Sequence, residues 1–287
     1  MTKSLLVLVL LAALSASAQP ATPAKPDYAN TLAAKLEPTK LVTYLKTPQR
    51  ELRLHVFNPS DLKPGDKRPC FVTIHGGGWG GGEPRRMYPF AAHFAAKGMV
   101  GVSIEYRLAR RDKVTPYDCV ADGRAALRYI KSHAAELGID PAKIAVSGGS
   151  AGGHVAAGTA MFAAFNAPGD DAKVDPTPAA LVLYYPVIDT SPAGYGNKTC
   201  GERWKEISPL HQVKKGTPPT IVFHGTADQT TPYAGAKAFD AAMRDAGNTC
   251  ELVTNEGGAH GYLMFEKGVY DEAIAKTEAF LEKVWGK

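Results

Sequence analysis

The fold turns on one stretch, Lys143-Ile144-Ala145-Val146-Ser147, running without a break into Gly148-Gly149-Ser150-Ala151-Gly152-Gly153. The first five residues have the apolar, β-branched character of a buried strand, and a helical pattern follows over 151–165. Gly148, Ser150 and Gly152 therefore spell G-x-S-x-G between a strand and a helix. A Gly-rich loop that merely packs a helix on a sheet shares the glycines. The strand–turn–helix setting favours a sharp, strained turn that holds the Ser150 hydroxyl exposed above its strand.

A second strand-like run, Cys70 to Ile74, ends in His75-Gly76-Gly77-Gly78-Trp79. Successive glycines let backbone N–H groups approach a substrate oxygen with no side chain in the way. Acyl transfer needs such donors where the tetrahedral oxyanion forms. The same segment satisfies G-x-G-x-x-G at Gly76, Gly78 and Gly81, with Glu105 ending the next strand. A dinucleotide site needs a helix opening at those glycines, and bulky Trp79 and then Glu83-Pro84 stand there instead.

A serine is inert until a base takes its proton. Of eight histidines, His75, His224 and His260 follow strands. His260 lies in the loop Gly257-Gly258-Ala259-His260-Gly261 after the last strand and is the candidate base. His224 directly ends its strand and reads as a brace. The imidazole in turn needs a carboxylate to fix its tautomer. Asp228, in His224-Gly225-Thr226-Ala227-Asp228, leads, and Asp189, in Tyr185-Pro186-Val187-Ile188-Asp189, is the rival. Ser150, Asp228 and His260 each fall just past the C-terminal end of a strand, where open α/β sheets place their ligands.

Around these motifs the pattern alternates. Strand-like runs occupy 41–45, 52–57, 70–74, 99–105, 144–147, 180–185, 220–223 and 251–254, the first two joined as a hairpin. Helical patterns occupy 86–97, 120–137, 151–165, 233–245 and 269–285, and Asp140-Pro141 reads as a break before the next strand. The order predicts an α/β fold: a mostly parallel eight-stranded sheet with helices on both faces, one domain over 41–287. Residues 19–40 read as a loose Pro/Ala-rich leader. Lys3, the apolar run 5–14 and Ala16-Ser17-Ala18 read as a signal peptide over 1–18. Secretion or periplasmic export with cleavage after Ala18 is therefore expected. An apolar run of ten residues spans about 15 Å as a helix, too short for a stable membrane anchor. The net charge is +5, yet no basic run exceeds two residues, which argues against a nucleic-acid groove. Cys70, Cys119, Cys200 and Cys250 match no metal or redox spacing, and free thiols are expected in a domain that needs no staples.

From about residue 40 onward the chain resembles the α/β-hydrolase esterases, and is similar to their hormone-sensitive-lipase-like and bifunctional feruloyl/acetyl-xylan esterase group. The resemblance rests on His75-Gly76-Gly77-Gly78-Trp79, Glu105-Tyr106-Arg107-Leu108, Gly148-Gly149-Ser150-Ala151-Gly152-Gly153-His154, Tyr185-Pro186-Val187-Ile188-Asp189 and His224-Gly225-Thr226-Ala227-Asp228. It implies a Ser150–Asp228–His260 triad, in the chain order of that fold, and an oxyanion hole made by the N–H groups of Gly77, Gly78 and Ala151. Trp79 and Asp189 are assigned to substrate binding. The chain departs from the lipase-like members in having Arg110-Arg111-Asp112 after Tyr106-Arg107-Leu108-Ala109, and in lacking an N-terminal helical cap. The expected activity is that of a secreted serine carboxylic-ester hydrolase working through an acyl-enzyme, with no cofactor or metal. The expected substrates are short-chain, acetyl-type esters of small molecules, sugars or plant polysaccharides under a small lid at 190–205. A prolyl-oligopeptidase-like peptidase and a non-catalytic binding protein on the same fold are the alternatives.

Overall fold

In a computed structural model that describes residues 27–286, the central strands are apolar on both faces because helices cover both. The strands are β1 Lys40–Lys46, β2 Glu51–Phe57, β3 Arg68–Ile74, β4 Val100–Ile104, β5 Ile139–Gly149, β6 Ala180–Tyr184, β7 Thr220–Gly225 and β8 Cys250–Asn255. They form one eight-stranded sheet in the order β1-β2-β4-β3-β5-β6-β7-β8. Strand β2 runs antiparallel to both neighbours and every other pair is parallel. The helices are α1 Tyr28–Ala33, α2 Tyr88–Ala96, α3 Ala109–Asp112, α4 Pro116–Ser132, α5 Ala134–Leu137, α6 Ala151–Met161, α7 Asn197–Cys200, α8 Tyr233–Asp245 and α9 Lys267–Trp285.

Alternate side chains divide the core. Val72, Val146, Leu181 and Val222 meet α4, α6 and α8, while Phe71, Ala145, Val182 and Ile221 meet α2 and α9. Each of the fully buried Val, Leu, Ile and Phe side chains contributes about 1.5–3 kcal/mol of hydrophobic free energy, and the site stands on this parallel centre. The eight-stranded α/β-hydrolase architecture expected from the sequence is the one observed.

Three local readings need correction. Helix α4 starts at Pro116, not at 120, because Thr115 and Asp118 form a capping box around a proline at the first turn. Asp140-Pro141 does not interrupt the chain before β5 but lies inside it. Exposed Pro141 sits where pairing with β3 shifts register between Arg68 and Cys70, so no ladder bond needs its missing N–H. The leader is not loose over its described part. Asp27 caps α1 by accepting from Asn30 N–H at 3.0 Å, and Ala29 and Ala33 are buried. Arg85 fixes the end of this turn by donating to the Ala33 and Leu36 carbonyls. A helix this short is unstable alone, so tertiary contact holds it. The signal-peptide reading, at 1–18, lies outside the described residues.

The 190–205 stretch is irregular but tied down. Thr190 Oγ1 donates to Trp204 O at 2.8 Å, Asn197 Nδ2 to Thr190 O at 2.9 Å, and Tyr117 O–H to Cys200 O at 2.8 Å. All four cysteines are buried and unpaired.

Candidate active site

Strand β5 delivers Ser150 into a backbone conformation that side chains rarely adopt, φ 56° and ψ −124°. Strain of this kind costs about 1–3 kcal/mol and is held by neighbours: Ser150 N–H donates to Tyr184 O at 2.9 Å, and Val187 N–H to Ser150 O at 3.0 Å. The turn closes only because Gly148 has no side chain, since a Cβ there would lie 2.3 Å from Gly152 O. The loop after β3 presses against the same turn. A Cβ on Gly76 would lie 2.8 Å from Gly149 O, a backbone atom that cannot move aside.

The loop after β8 brings His260 over the turn. Its Nε2 is 2.9 Å from Ser150 Oγ and its Nδ1 is 2.8 Å from Asp228 Oδ2. Nδ1–H donating to the carboxylate leaves Nε2 free to accept the serine proton. Asp228 is buried and also accepts from the Thr230 and Thr231 N–H groups, each at 2.9 Å, and from Thr231 O–H at 2.9 Å. Burial works to raise its pKa, but hydrogen bonds from His224, His260 and the Thr231 backbone outweigh it and hold the carboxyl well below the usual range. His224 is the brace the sequence suggested: its Nε2–H donates to Thr231 O at 2.7 Å and lies 3.4 Å from Asp228 Oδ2.

Gly77 and Gly78 sit at φ 122° and 58°. Their N–H groups, and that of Ala151 at the start of α6, donate to no oxygen among the described residues. Gly77 and Gly78 line one cavity with Ser150 and His260, of about 370 Å³. The positive end of the α6 dipole adds to its preference for a developing negative charge.

Two family models match the chain, one described as BD-FAE over residues 54–191 and one as TAP-like protein over 193–280. The chain is 29% identical to Esterase LipQ of Mycobacterium tuberculosis over 258 residues, 83% of this chain but only 61% of that protein. Against Carboxylesterase NlhH of the same organism it is 29% identical over 244 residues, 75% of this chain and 72% of that one. Among solved structures, the thermophilic esterase Est2 of the planctomycete Thermogutta terrifontis superposes with a TM-score of 0.81 at 40% identity, covering 85% of this chain and 92% of that one. The chain belongs to the α/β-hydrolase esterases. Thermogutta esterase 2 is also known with propionate bound and phosphorylated by paraoxon.

Within this esterase site two sequence assignments do not hold. Trp79 does not line the Ser150 cavity; it is 1% exposed and packs into the fold. Its Nε1–H donates to His154 Nδ1 at 3.3 Å, and His154 Nε2–H donates to Ile207 O at 2.6 Å. The pair ties the glycine loop after β3 to α6 and to the turn at Ile207. Asp189 does not line that cavity either. It accepts from Ser191 N–H at 2.8 Å and Ser191 O–H at 2.9 Å, turning the chain into the irregular 190–205 stretch, and borders a separate cavity of about 150 Å³ with Ile188 and Leu210. A short polar side chain after a strand favours exactly such a local turn, which makes the two aspartates alike in sequence and unlike in place.

Two buried imidazoles, His75 and His154, lie against the glycine loop after β3. His75 stacks on Tyr106 at 4.5 Å and bonds Gly76 O at 2.8 Å; burial, partly opposed by that bond, lowers its pKa to about 4. Burial lowers His154 to about 4 as well. The sequence reading missed several cavity-lining residues, among them Arg86, Tyr185, Tyr195, Met264 and Phe265. Tyr185 stood inside a quoted motif, but its φ of 36° and its edge-on contact with His260 at 5.0 Å have no sequence signal. No group of three or more His, Cys, Asp or Glu among the described residues is placed to hold a metal.

Proposed function

We propose that the protein is a serine carboxylic-ester hydrolase for short acyl groups. The observation that carries this is the unbroken chain Ser150 Oγ–His260 Nε2 at 2.9 Å and His260 Nδ1–Asp228 Oδ2 at 2.8 Å, beside three uncommitted backbone N–H groups. Ser150 Oγ attacks the ester carbonyl while His260 takes its proton, and ionised Asp228 stabilises the imidazolium. The oxyanion falls to the N–H groups of Gly77, Gly78 and Ala151; losing one such donor costs about 3–4 kcal/mol in a related chemistry. Collapse expels the alkoxide, which His260 protonates. Water, activated by the same imidazole, then releases the acid from Ser150.

A cavity of about 370 Å³ is at the small end for ligand sites, roughly 300–1,000 Å³. A long chain therefore finds little wall to bury against at about 0.8 kcal/mol per CH₂, which supports acetyl to butyryl acids. The propionate and butyrate complexes of Thermogutta esterase 2 point the same way. Export of the protein is part of the proposal and rests on Lys3, the apolar run 5–14 and Ala16-Ser17-Ala18. Steady-state rates on p-nitrophenyl acetate and on an aminoacyl-p-nitroanilide are the test. Turnover of the ester with no cleavage of the anilide is expected; preferred cleavage of the anilide would make the protein a peptidase, and no turnover of either would leave it a binding protein.

A further inference from the structure

The Ser150 cavity contains a cation that ester cleavage as such does not use. Pro84–Met87 form one 3-10 turn carrying two adjacent arginines with different surroundings. Arg85 is committed to the fold: it donates to Ala33 O, Leu36 O and Glu37 Oε1 and lies over the Tyr88 ring. Arg86 instead borders the Ser150 cavity and is exposed, and its guanidinium has no hydrogen bond or ion pair with the described residues. Its charge is felt in the cavity wall: it opposes the burial that raises the pKa of Tyr185, and it adds to the burial that lowers that of His75.

A lone arginine on a surface is ordinarily just solvated. Three features set this one apart. It stands in the same concavity as the reactive serine. Among the described residues no Asp or Glu lines that cavity to neutralise it. The nearest triad carboxylate, Asp228, is on the far side of His260 and already saturated by Thr230, Thr231 and His260. A guanidinium presents a flat fork of donors that matches a carboxylate in two parallel bonds.

We propose that Arg86 is a specificity-determining residue that binds a free carboxylate on the ester substrate. The substrate class is then short esters bearing a second, ionised acid group: either a half-ester of a dicarboxylic acid, with the charge on the acyl side, or an ester of a hydroxy acid, with the charge on the leaving side. This inference rests on the esterase reading above.

The test compares kcat/KM for two matched pairs on the full chain. On the acyl side the pair is mono-p-nitrophenyl glutarate and p-nitrophenyl butyrate; on the leaving side it is 3-carboxyphenyl acetate and phenyl acetate. In Arg86→Gln the charged-to-neutral ratio should fall about tenfold in one pair, and which pair responds tells where the carboxylate sits. Arg86→Lys keeps the charge without the fork and should recover part of the ratio. For the wild type, raising the salt concentration should lower the same ratio. A fall below threefold in both pairs overturns the proposal. Failure of the wild type to hydrolyse either neutral ester would instead overturn the esterase reading itself.

Discussion

Lowering the pH should unfold the support of the oxyanion loop before it touches the triad carboxylate. His75 and His154 are buried neutral, each with its pKa moved from 6.5 to about 4. In both cases the folded value lies below the unfolded one, so the unfolded chain takes up protons first as pH falls. The stability this represents is complete above about pH 6.5 and drains away as pH drops toward 4. At about 1.4 kcal/mol per unit, each histidine accounts for roughly 3 kcal/mol and the two for roughly 6–7, comparable with the 5–15 kcal/mol that typically holds a domain together. Asp228 and Glu105 are both held low, the latter at about 2, so their contributions are lost only at still lower pH. The assay is urea unfolding followed by circular dichroism at about pH 7, 6 and 5. Unfolding free energy should fall by about 2.3 kcal/mol between pH 6 and 5, a little under the limiting slope for two protons because the unfolded histidines are not yet fully protonated at pH 6. His154→Gln, though less stable throughout, should show about half that slope. A flat profile from pH 7 to 5, or an undiminished slope in the variant, would refute the reasoning.

Asp228→Asn should lose on the order of 10³ to 10⁴ in kcat with the fold intact, because the amide holds the imidazole in the wrong tautomer. Asp189→Asn should lose about tenfold or less, since it orders the lid and not the base; steady-state kinetics on the pair decides, and a larger kcat loss at Asp189 would reverse the assignment. Gly76→Ala forces its new Cβ toward Gly149 O and so displaces the oxyanion loop; kcat should drop on the order of 10²-fold with KM little changed, and near-wild-type kcat would show that the loop tolerates the shift. In a series of p-nitrophenyl esters, kcat/KM should be highest from acetyl to butyryl, and a maximum at decanoyl or longer would mean that the cavity opens far beyond its 370 Å³.

The parts of the fold that the sequence made legible are those where one local pattern fixes one outcome. Buried parallel strands leave apolar runs, and each of the eight strands stands where such a run occurs. Ser150, Asp228 and His260 were legible for a related reason: each lies within a few residues of the C-terminal end of a strand, so topology carries them to one edge. Trp79 and Asp189 were misplaced because burial is a property of the assembled fold. Nothing in His75-Gly76-Gly77-Gly78-Trp79 tells whether the indole turns to the substrate or to His154, and that choice depends on residues as distant as Ile207. Helix α1 was missed for the opposite reason: prolines at 20, 23, 26 and 38 flank it and it is too short to stand alone, so its stability comes from Arg85 and from burial of Ala29 and Ala33. Arg86 is invisible as a site residue in sequence because its neighbour Arg85 is chemically identical.

The most direct measurement is covalent titration of the nucleophile. Paraoxon, which phosphorylates Thermogutta esterase 2, should add one diethylphosphoryl group per chain, mapped by peptide mass spectrometry to Ser150, with hydrolysis of p-nitrophenyl acetate lost in proportion to the label. Ser150→Ala should take up no label and show no turnover. Labelling at another residue, or continued ester hydrolysis by a chain fully labelled at Ser150, would contradict the proposed triad.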